Sequence, residues 1–368
     1  MWTGVLASKP AAHVAAPTTK QPNNQTTKQA LATPAVLHFI VFVAMNSVPK
    51  RTLGNTGLQV SVLGFGASPL GGVFHDVDAD EGRKAVKRAF ERGINFFDTS
   101  PFYGDTRSEM ALGRAIADLP RSEIVVATKV GRYGAETFDF SAERVTRSVD
   151  ESLERLGLDM IDLIQCHDME FVCLDQIVNE TLPALLELKK QGKVRFVGIT
   201  GLPLKIFKDV LDRAPAGSVD CVLSYCHYTM LDDTLDGLIP YLQSKNVGII
   251  NASPLCMGLL TRRGPPSWHP APQEVLDAAR RATAAADEAG VDIADLALRY
   301  SLKNEKIATT LVGMCTRQQV EENCNSALLA LGSGSDESRT YQEVTGQVAE
   351  ILGAVHNVTW RSGLPENN

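Results

Sequence analysis

The sequence contains no stretch of about 18 apolar residues, the length that a membrane-spanning helix needs. It also lacks an excess of positive charge, because 36 lysines and arginines stand against 43 aspartates and glutamates, a net charge of −7. Nucleic-acid binding needs a basic face for the phosphates. We therefore expect neither a membrane nor a nucleic acid among the partners of this chain.

Close cysteine pairs are missing as well. The chain has 7 cysteines, none in a Cys-x-x-Cys pair and none grouped with histidine at the spacing of zinc ligands. An odd number of cysteines in a chain of 368 residues disfavours a disulfide framework. We expect no bound metal, thiols that mostly pack as small apolar groups, and a reducing compartment, the cytoplasm.

The N-terminal region holds no acidic residue, and the first one in the chain is Asp76. Residues 1–48 are rich in Ala, Thr, Pro, Gln, Asn and Lys, which predicts a disordered extension. The same composition suits an organelle transit peptide, although the segment holds no arginine and Met45 offers a second start. We expect three regions: a disordered or targeting extension over 1–48, a folded domain over 49–335, and a C-terminal helix and tail over 336–368.

Apolar runs alternate with amphipathic segments over the rest of the chain. The runs predict strands at Val60–Phe65, Asn95–Thr99, Ile124–Val130, Ile161–His167, Val194–Thr200, Cys221–Tyr225, Gly248–Ala252 and Thr309–Gly313. The periodicity predicts helices at Asp80–Arg92, Glu109–Ala117, Ala142–Leu156, Leu174–Lys190, Leu204–Arg213, Thr234–Ser244, Glu274–Ala289 and Gln318–Leu329. Because the strand runs are nearly continuous in apolar residues, they indicate parallel strands buried on both faces.

Strand–helix units repeated over roughly 270 residues match a (β/α)8 TIM barrel, which typically takes about 250. Ahead of the barrel, residues 51–68 predict a β-hairpin whose turn includes residues 55–57. After it, the apolar spacing around Val344 and Val348 predicts an extra C-terminal helix that docks on the side of the barrel.

An open, doubly wound sheet is the competing architecture. It normally begins with a Gly-x-Gly-x-x-Gly turn that leads into the first helix. Gly64 and Gly66 supply the first two glycines, but Pro69 stands in place of the third. The barrel is therefore favoured, and the two glycines are interpreted as a sharp turn or a close approach to a ligand.

Four polar side chains, Asp98, Tyr103, Lys129 and His167, each end an apolar run or follow one within a few residues. In strand–helix barrels the carboxyl ends of the strands build the active site, so we expect one catalytic site here. Lys129 leaves a buried strand and needs an anionic partner, for which Asp98 is the candidate. A cation lowers the pKa of a tyrosine, which is ordinarily near 10, and a histidine can donate to a substrate oxygen. Taken singly, each of the four also fits a purely architectural role.

The segments DTSPFYGDTRSEMALGRAI (98–116), VVATKVGR (125–132), LIQCHD (163–168) and GKVRFVGIT (192–200) together resemble the aldo-keto reductase family. The resemblance implies a (β/α)8 barrel closed at its bottom by an N-terminal hairpin, and a nicotinamide cofactor without a metal. It also implies that Tyr103 donates or accepts the proton, that Lys129 lowers the pKa of Tyr103, that Asp98 pairs with Lys129, and that His167 orients the substrate oxygen.

The segment TTLVGMCTRQQVEEN resembles the part of the family that holds the adenosine end of the cofactor. Members that use a 2′-phosphorylated cofactor often carry a basic residue and a serine where this chain has Gly313 and Met314, and an arginine where it has Gln319. Cationic side chains are the expected partners of the extra phosphate. Their absence favours NAD over NADP.

The resemblance implies a larger set of cofactor-binding residues: Gly66, Thr200, Gly201, Ser253, Pro254, Leu255, Gly258, Gly313, Gln319, Glu322 and Asn323. Four positions depart from the family pattern. Thr200 and Gly201 replace a serine–asparagine pair that holds the carboxamide, Ala252 replaces a tyrosine that stacks on the nicotinamide, and Leu223 replaces a glutamine.

Residues 51–74, 223–235 and 252–261 bring the chain nearest to the NAD-dependent aldose dehydrogenases of plant and algal ascorbate biosynthesis. This resemblance implies oxidation of an aldose at C1, most readily L-galactose to its 1,4-lactone, with hydride passing to nicotinamide C4 and Tyr103 acting as general base. A sugar pocket needs polar groups among apolar walls. Candidates on strand-end loops are His75, Phe102, Asp168, Tyr225 and His227.

Two other functions stay open at this point. One is an NADPH-dependent aldehyde or ketone reductase, and the other is a regulatory barrel that binds the nucleotide without turnover, as potassium-channel β subunits do. The four intact catalytic-type residues argue against the second alternative. No feature of the sequence indicates an oligomeric state.

Overall fold

Eight apolar runs form short parallel strands that close into a barrel. The computed structural model describes residues 47–73, 76–332 and 338–368. The strands of this part are β1 Lys50–Thr52, β2 Gln59–Ser61, β3 Leu63–Gly66, β4 Phe96–Asp98, β5 Val125–Val130, β6 Ile161–Cys166, β7 Val194–Gly201, β8 Cys221–Tyr225, β9 Gly248–Ala252 and β10 Thr309–Gly313. Strands β3 to β10 follow one another around the barrel, and β10 closes it by pairing in parallel with β3. The predicted (β/α)8 barrel is confirmed.

The division into three regions is not decided by these residues. Nearly all of the predicted extension 1–48 lies outside the described residues, and so does the predicted boundary between 335 and 336. Within the described part of the chain, no helix is long and apolar enough to cross a membrane.

The predicted hairpin is present as the antiparallel pair β1 and β2, in which Lys50 lies opposite Ser61. The predicted strand Val60–Phe65 is wrong as a single strand, because the chain changes partners inside it. Residues up to Ser61 pair with β1, whereas Leu63 and the residues after it pair with β10 and β4. The Ser61 hydroxyl donates to the Leu63 carbonyl at 2.8 Å across this change of direction.

The hairpin closes the amino-terminal end of the barrel. Leu53, Leu58 and Val60 are buried against inward-facing side chains of the strands, namely Phe96, Val125, Ala127, Leu163, Cys221, Leu223, Ile250 and Leu311. Side chains alternate between the lumen and the outer face along each strand. The next inward positions towards the carboxyl ends of β4 and β5 are therefore Asp98 and Lys129.

Helices surround the barrel in the order that the sequence predicts, with one addition. Within the described residues they are α1 Ala79–Glu91, α2 Arg107–Ile116, α3 Ala142–Leu156, α4 Leu174–Lys190 (a π turn at Ile177–Thr181 lies within it), α5 Leu204–Arg213, α6 Leu235–Ser244, α7 Gln273–Glu288, α8 Ile293–Leu302, α9 Arg317–Leu331 and α10 Arg339–Gly353. Each predicted helix has its counterpart, with ends that differ by a residue or two.

Helix α8 is the addition, and the sequence interpretation missed it. Its signal was present, because the Asp292 side chain accepts from the Ala294 amide at 2.9 Å as an N-cap. Ile293, Leu296 and Ala297 bury one face of the helix. Two helices, α7 and α8, therefore lie between β9 and β10.

The predicted C-terminal helix is confirmed as α10. The Ser338 hydroxyl accepts from the Tyr341 amide at 3.2 Å and caps its first turn. The helix buries Val344, Val348 and Leu352 against α7, whose contacting residues are mostly small: Val275, Ala278, Ala279, Ala282 and Ala286. These alanines let the two helices approach closely.

A buried carboxylate fastens the helices beside the barrel mouth. Glu109 of α2 is fully buried; its Oε1 accepts from the Thr128 hydroxyl at 2.6 Å, and its Oε2 accepts from Arg155 Nε at 2.6 Å. Thr128 lies on the outer face of β5 and Arg155 lies in α3. One side chain thus joins two helices to the strand that carries Lys129.

We expect Glu109→Ala to lower the free energy of unfolding by about 3 kcal/mol or more, because it strands a largely buried arginine without its partner. Glu143→Ala is the matched control. It breaks an exposed pair with Arg147 at 3.8 Å, so it should cost less than about 1 kcal/mol. Urea unfolding of both variants measures the difference, and equal losses would contradict the role given to Glu109.

Candidate active site

Lys129 and Asp98 form a buried ion pair in the lumen below the mouth of the barrel. Lys129 Nζ donates to Asp98 Oδ1 at 2.5 Å and to the Thr99 carbonyl at 2.8 Å. Gln165 Nε2 donates to the second oxygen of Asp98 at 2.9 Å. Burial lowers the pKa of Lys129, but Asp98 and Tyr103 outweigh this effect and the pKa lies above its ordinary value. The amine is therefore a cation at neutral pH.

Tyr103 lies directly beside this cation, with Lys129 Nζ 4.7 Å from the centre of its ring. The loop that carries it is fixed by its own backbone, since the Tyr103 amide donates to the Ser100 carbonyl at 3.1 Å. Gly104 follows with a left-handed φ of 63°, and a Cβ there would collide with the Gly71 backbone. The loop therefore turns sharply immediately after the phenol.

The pKa of Tyr103 differs from the simple expectation. Burial raises it, the charge of Lys129 lowers it, and the net direction in the ligand-free protein is upward. The predicted lowering influence of Lys129 is present, but it does not exceed the cost of placing a phenolate in this buried site. The phenol is therefore protonated at rest.

His167 faces Tyr103 edge-on, with ring centres 5.4 Å apart and an interplanar angle of 89°. Its Nδ1 is 3.0 Å from the Ser100 hydroxyl, which also accepts from the Phe102 amide at 3.1 Å. Burial lowers the pKa of His167 to about 3. The ring is therefore neutral and carries one N–H.

The structure thus brings the four predicted side chains together at one mouth. An ammonium group beside a phenol, with a neutral imidazole across from it, can exchange a proton with an oxygen of a small ligand. Gln165, which completes the partners of Asp98, was missed in the sequence. Its position two residues before His167, on the same face of β6, was the available signal.

Arg132 is a second residue that the sequence interpretation missed. Its guanidinium donates to Asp168 Oδ2 at 2.5 Å, and its central carbon lies 4.0 Å from the centre of the Phe102 ring. Two further rings flank it, Phe138 and Phe171, which stack on each other at 4.6 Å. This charged and aromatic wall stands at the mouth, where a sugar could present both hydroxyl and C–H groups.

The predicted substrate-binding residues other than His227 fall into three groups. Phe102 and Asp168 lie beside the tetrad, and Asp168 Oδ2 is 3.6 Å from His167 Nε2. Tyr225 ends β8 on its inward face, opposite Ala252 in the register of β9. His75 lies outside the described residues.

His227 has structural partners in a buried setting. Its Nδ1 lies 3.0 Å from Asp232 and 3.1 Å from the Thr234 hydroxyl, and its buried Nε2 has no partner. These contacts account for Nδ1 but not for Nε2, and the contact of His227 with a substrate stays a prediction.

The residues present on the other side of the mouth fit a nicotinamide nucleotide. Gly66 and Gly313 are register partners on β3 and β10, so two adjoining strand ends carry no side chain. A Cβ on Gly66 would approach the Val312 carbonyl to 3.0 Å. The Oε1 of Gln165 is buried without a donor, which is the kind of acceptor that a carboxamide N–H satisfies. The Thr200 hydroxyl accepts from the Asp168 amide at 3.0 Å.

The loop after β9 has an unusual backbone. Ser253, Cys256, Met257 and Gly258 all have left-handed φ values, of 56°, 47°, 51° and 102°. Pro254 is buried within this loop, while Ser253 and Leu255 are half-buried. Strained backbone of this kind is found at ligand-binding loops, which agrees with the predicted role of Ser253, Pro254, Leu255 and Gly258 in cofactor binding.

At the predicted adenosine end, the Gln319 side chain is already engaged. Its Oε1 accepts from the amides of Cys315 and Thr316 at 2.9 and 3.3 Å and completes the cap of α9. Glu322 is exposed and accepts from Gln318 at 2.8 Å along the helix. Asn323 is half-buried in the same helix. Their contacts with the cofactor stay predictions.

Two arginines near this end were not foreseen. Arg317, at the start of α9, forms a two-pronged pair with Glu81 of α1, with both nitrogen–oxygen distances at 3.2 Å. Arg263 lies in the loop after β9, close to Cys315. Burial raises the pKa of the Cys315 thiol, and the positive charge of Arg263 lowers it in part. Arg263 follows the predicted cofactor-binding residues Ser253, Pro254 and Leu255 by eight positions or more, and this closeness in sequence was the available signal.

Comparison with known proteins gives consistent results. Residues 62–335 match the model described as the Aldo/keto reductase family. The chain is 56% identical over 325 residues to L-galactose dehydrogenase of Arabidopsis thaliana, covering 88% of this chain and 100% of that protein. It is 33% identical over 294 residues to D-arabinose 1-dehydrogenase of Saccharomyces cerevisiae, covering 76% and 87%. Among solved structures, it resembles an aldo-keto reductase of Bacillus halodurans in its holo form, with a TM-score of 0.65, 28% identity, and 82% and 96% coverage.

We expect the His167 ring to remain neutral from pH 8 down to about 5, because burial holds its pKa at about 3. Carbon-13 NMR of histidine-labelled protein measures this, and a His167→Gln sample assigns the signal by its disappearance. A titration midpoint between 6 and 7 would contradict the buried, neutral imidazole. In the unfolded chain the His167 pKa is near 6.5. The neutral, buried His167 therefore lowers the free energy of unfolding as the pH falls from 6.5 towards 3.

Proposed function

The chain belongs to the aldo/keto reductase family, and from this premise we propose that it oxidises L-galactose at C1 to the 1,4-lactone with NAD. Membership makes it an oxidoreductase that uses a nicotinamide cofactor. The choice of sugar rests on the relatives, because the two named above are dehydrogenases of aldoses, and the first aligns over its whole length. The observation that carries the proposal is the cationic Lys129 placed beside Tyr103 at the mouth of the barrel.

We propose that the Tyr103 phenol first releases its proton to water at the mouth, and that the resulting phenolate then accepts the proton of the C1 hydroxyl. Lys129 stabilises the phenolate that forms, and Asp98 with Gln165 holds the amine in place. The neutral His167 donates its remaining N–H to the same substrate oxygen and fixes its position. The bound NAD supplies the hydride acceptor at nicotinamide C4. The Gln165 Oε1, Thr200 and the glycine pair Gly66 and Gly313 would hold that end of the cofactor.

Burial affects both the strength and the abundance of the Tyr103 base. Because burial raises its pKa, the phenolate would be a strong base, and it would be scarce without a nearby cation. Lys129 therefore acts before the transfer, by stabilising the phenolate, which then takes the C1-hydroxyl proton as the hydride leaves C1. In this account Lys129 acts through charge and does not itself take the proton.

The preference for NAD over NADP is supported by the pair at the adenosine end. Arg317 is the cation nearest in sequence to the predicted 2′-site, and Glu81 accepts from two of its three side-chain nitrogens, Nε and Nη2. A 2′-phosphate would have to compete with that carboxylate for the guanidinium and would be repelled by it. Free cysteines, seven in all, accord with the cytoplasm as the compartment that we propose from the sequence.

A panel of aldoses with NAD and NADP tests the function, with formation of reduced cofactor followed by absorbance. We expect L-galactose with NAD to give the highest kcat/KM, because the chain aligns over the full length of a dehydrogenase named for that sugar. Tyr103→Phe should lower kcat at least ~100-fold, since it removes the proton acceptor. It should leave the Kd for NAD nearly unchanged.

Two outcomes would contradict this proposal. A strong preference for an aromatic aldehyde with NADPH would favour a reductase. A Tyr103→Phe protein that loses its affinity for NAD would show that the ring supports the fold of the pocket and not the proton transfer.

We expect Glu81→Gln to raise kcat/KM for NADP relative to NAD, on the order of 10-fold, because it frees Arg317 for the 2′-phosphate and removes a repelling charge. Glu91→Gln is the matched control, since it also lies in α1 but pairs with Arg88 at 3.1 Å. A ratio unchanged by Glu81→Gln would show that the Glu81–Arg317 pair has no part in cofactor choice.

A further inference from the structure

The chain ends in a segment that crosses the mouth of the barrel. We call residues 358–368, which follow α10, the tail. Just before the tail, the Asn357 amide donates to the Leu231 carbonyl in the loop after β8 at 2.9 Å. Within the tail, the Trp360 ring meets His269, in the loop after β9, at 5.1 Å. Lys205 of α5 donates to the Glu366 carbonyl at 2.8 Å.

The tail ends on the loop after β6, immediately past the catalytic His167. The Leu364 amide and the Asn367 side chain both donate to the Glu170 carbonyl, at 2.9 and 2.8 Å. Asn367 also donates to the Val172 carbonyl at 3.0 Å and is 4% exposed. Together with Asn357, the tail is therefore docked on the loops or helices that follow four consecutive strands, β6 to β9.

Glu170 is the centre of this contact. Its side chain is fully buried, and Oε1 accepts from the Ser362 hydroxyl at 2.8 Å and from the Leu202 amide at 3.1 Å. Its other oxygen, Oε2, has no hydrogen-bond partner. A Cβ on Gly201 would approach this Oε2 to 2.7 Å, so the unpaired oxygen lies against the end of β7.

The groups around Glu170 do not neutralise a negative charge. Asp168 faces it from its own loop with a second carboxylate, the tail presents only the Ser362 hydroxyl, and the end of β7 presents only an amide. The phenol of Tyr225 faces it from β8. Among the described residues, no lysine, arginine or histidine lies within ion-pair distance of it. An ionised carboxylate in such a place is costly.

We propose that Glu170 is a positioning residue whose protonated carboxyl fastens the tail across the mouth of the barrel, and that its ionisation loosens the tail. The carboxyl reaches in two directions: to Ser362 in the tail, and to Leu202, which follows the Thr200–Gly201 segment proposed to hold the carboxamide. The tail and the cofactor side of the mouth are thus held by one side chain. The fraction of molecules in which the tail is docked therefore depends on pH, and the affinity for the sugar changes with it.

The direction of the pH effect follows from the burial. Burial and Asp168 raise the pKa of Glu170 to about 7, and release of the tail exposes the carboxyl to water, which lets its pKa fall towards the ordinary value of 4.5. A raised carboxyl pKa stabilises the docked state at low pH, and the stabilisation is lost as the pH rises through 7. With these two values as limits, the equilibrium constant for release rises by up to about 10-fold between pH 6 and pH 8.

Hydrogen exchange of the intact protein tests this without any substrate. The C-terminal peptide containing Leu364, Asn367 and Asn368 is followed by mass spectrometry at pH 6 and pH 8, and rates are corrected for the intrinsic pH dependence of exchange. We expect its protection factor to fall by up to about 10-fold in the wild type and to stay constant in Glu170→Gln, whose amide mimics the protonated carboxyl. Glu366→Gln is the matched control, because it removes an exposed carboxyl from the tail and should keep the wild-type change.

Ser362→Ala serves if Glu170→Gln does not fold. It removes one of the two donors to Oε1, so the peptide should exchange faster at pH 6 and show a smaller change between the two pH values. A protection factor that is independent of pH in the wild type overturns the proposal, and so does an equal fall in Glu170→Gln.

A kinetic arm then addresses the link to the sugar, and this arm alone rests on the proposed function. The KM for the aldose should rise several-fold from pH 6 to pH 8 in the wild type and not in Glu170→Gln, with kcat affected alike in both. If exchange shows the release of the tail while the two KM profiles coincide, the positioning role is refuted. Absence of turnover with every aldose would count against the proposed function. The exchange result would then decide by itself whether Glu170 fastens the tail.

Discussion

The buried pair of Lys129 and Asp98 is the interaction on which the active site depends. Two opposite charges lie in the lumen with almost no exposure, and such a pair is costly to bury unless every donor and acceptor finds a partner. Three strands therefore have to contribute at once: β4 carries the carboxylate, β5 the amine and β6 the glutamine amide. Closing the barrel in this register is what makes the cation available beside the phenol.

Much of this arrangement could be read from the sequence, because the information lies in local patterns. Apolar runs located the barrel strands, and polar residues at their carboxyl ends pointed to the four catalytic candidates. The change of partner at Ser61 could not be read in the same way. Residues 60 to 65 carry no polar side chain apart from Ser61, and only pairing with distant strands divides this run into two strands.

Side chains whose partners come from distant loops were also beyond reach of the sequence. Arg132 meets a stacked pair of rings assembled from two separate loops, and Glu170 meets a tail nearly two hundred positions away, at a separation of 192 for Ser362. The Gln319 side chain is the opposite case, because its partners are local in sequence. Its local capping role was present in the sequence, since Thr316 precedes it by three positions, but the family resemblance drew the interpretation towards the cofactor.

The hairpin that fills the amino-terminal end of the barrel leaves the opposite end for the entry and release of ligands. Below the ion pair the lumen is packed with Phe96, Leu163 and Ile250, with Leu53 of the hairpin beneath them. Among the described residues, a cluster of buried apolar side chains fills these layers, so we expect protons to reach and leave Tyr103 through the mouth. Sugar, lactone, nucleotide and proton all have to pass through one opening, and each turnover has to clear that opening before the next can begin.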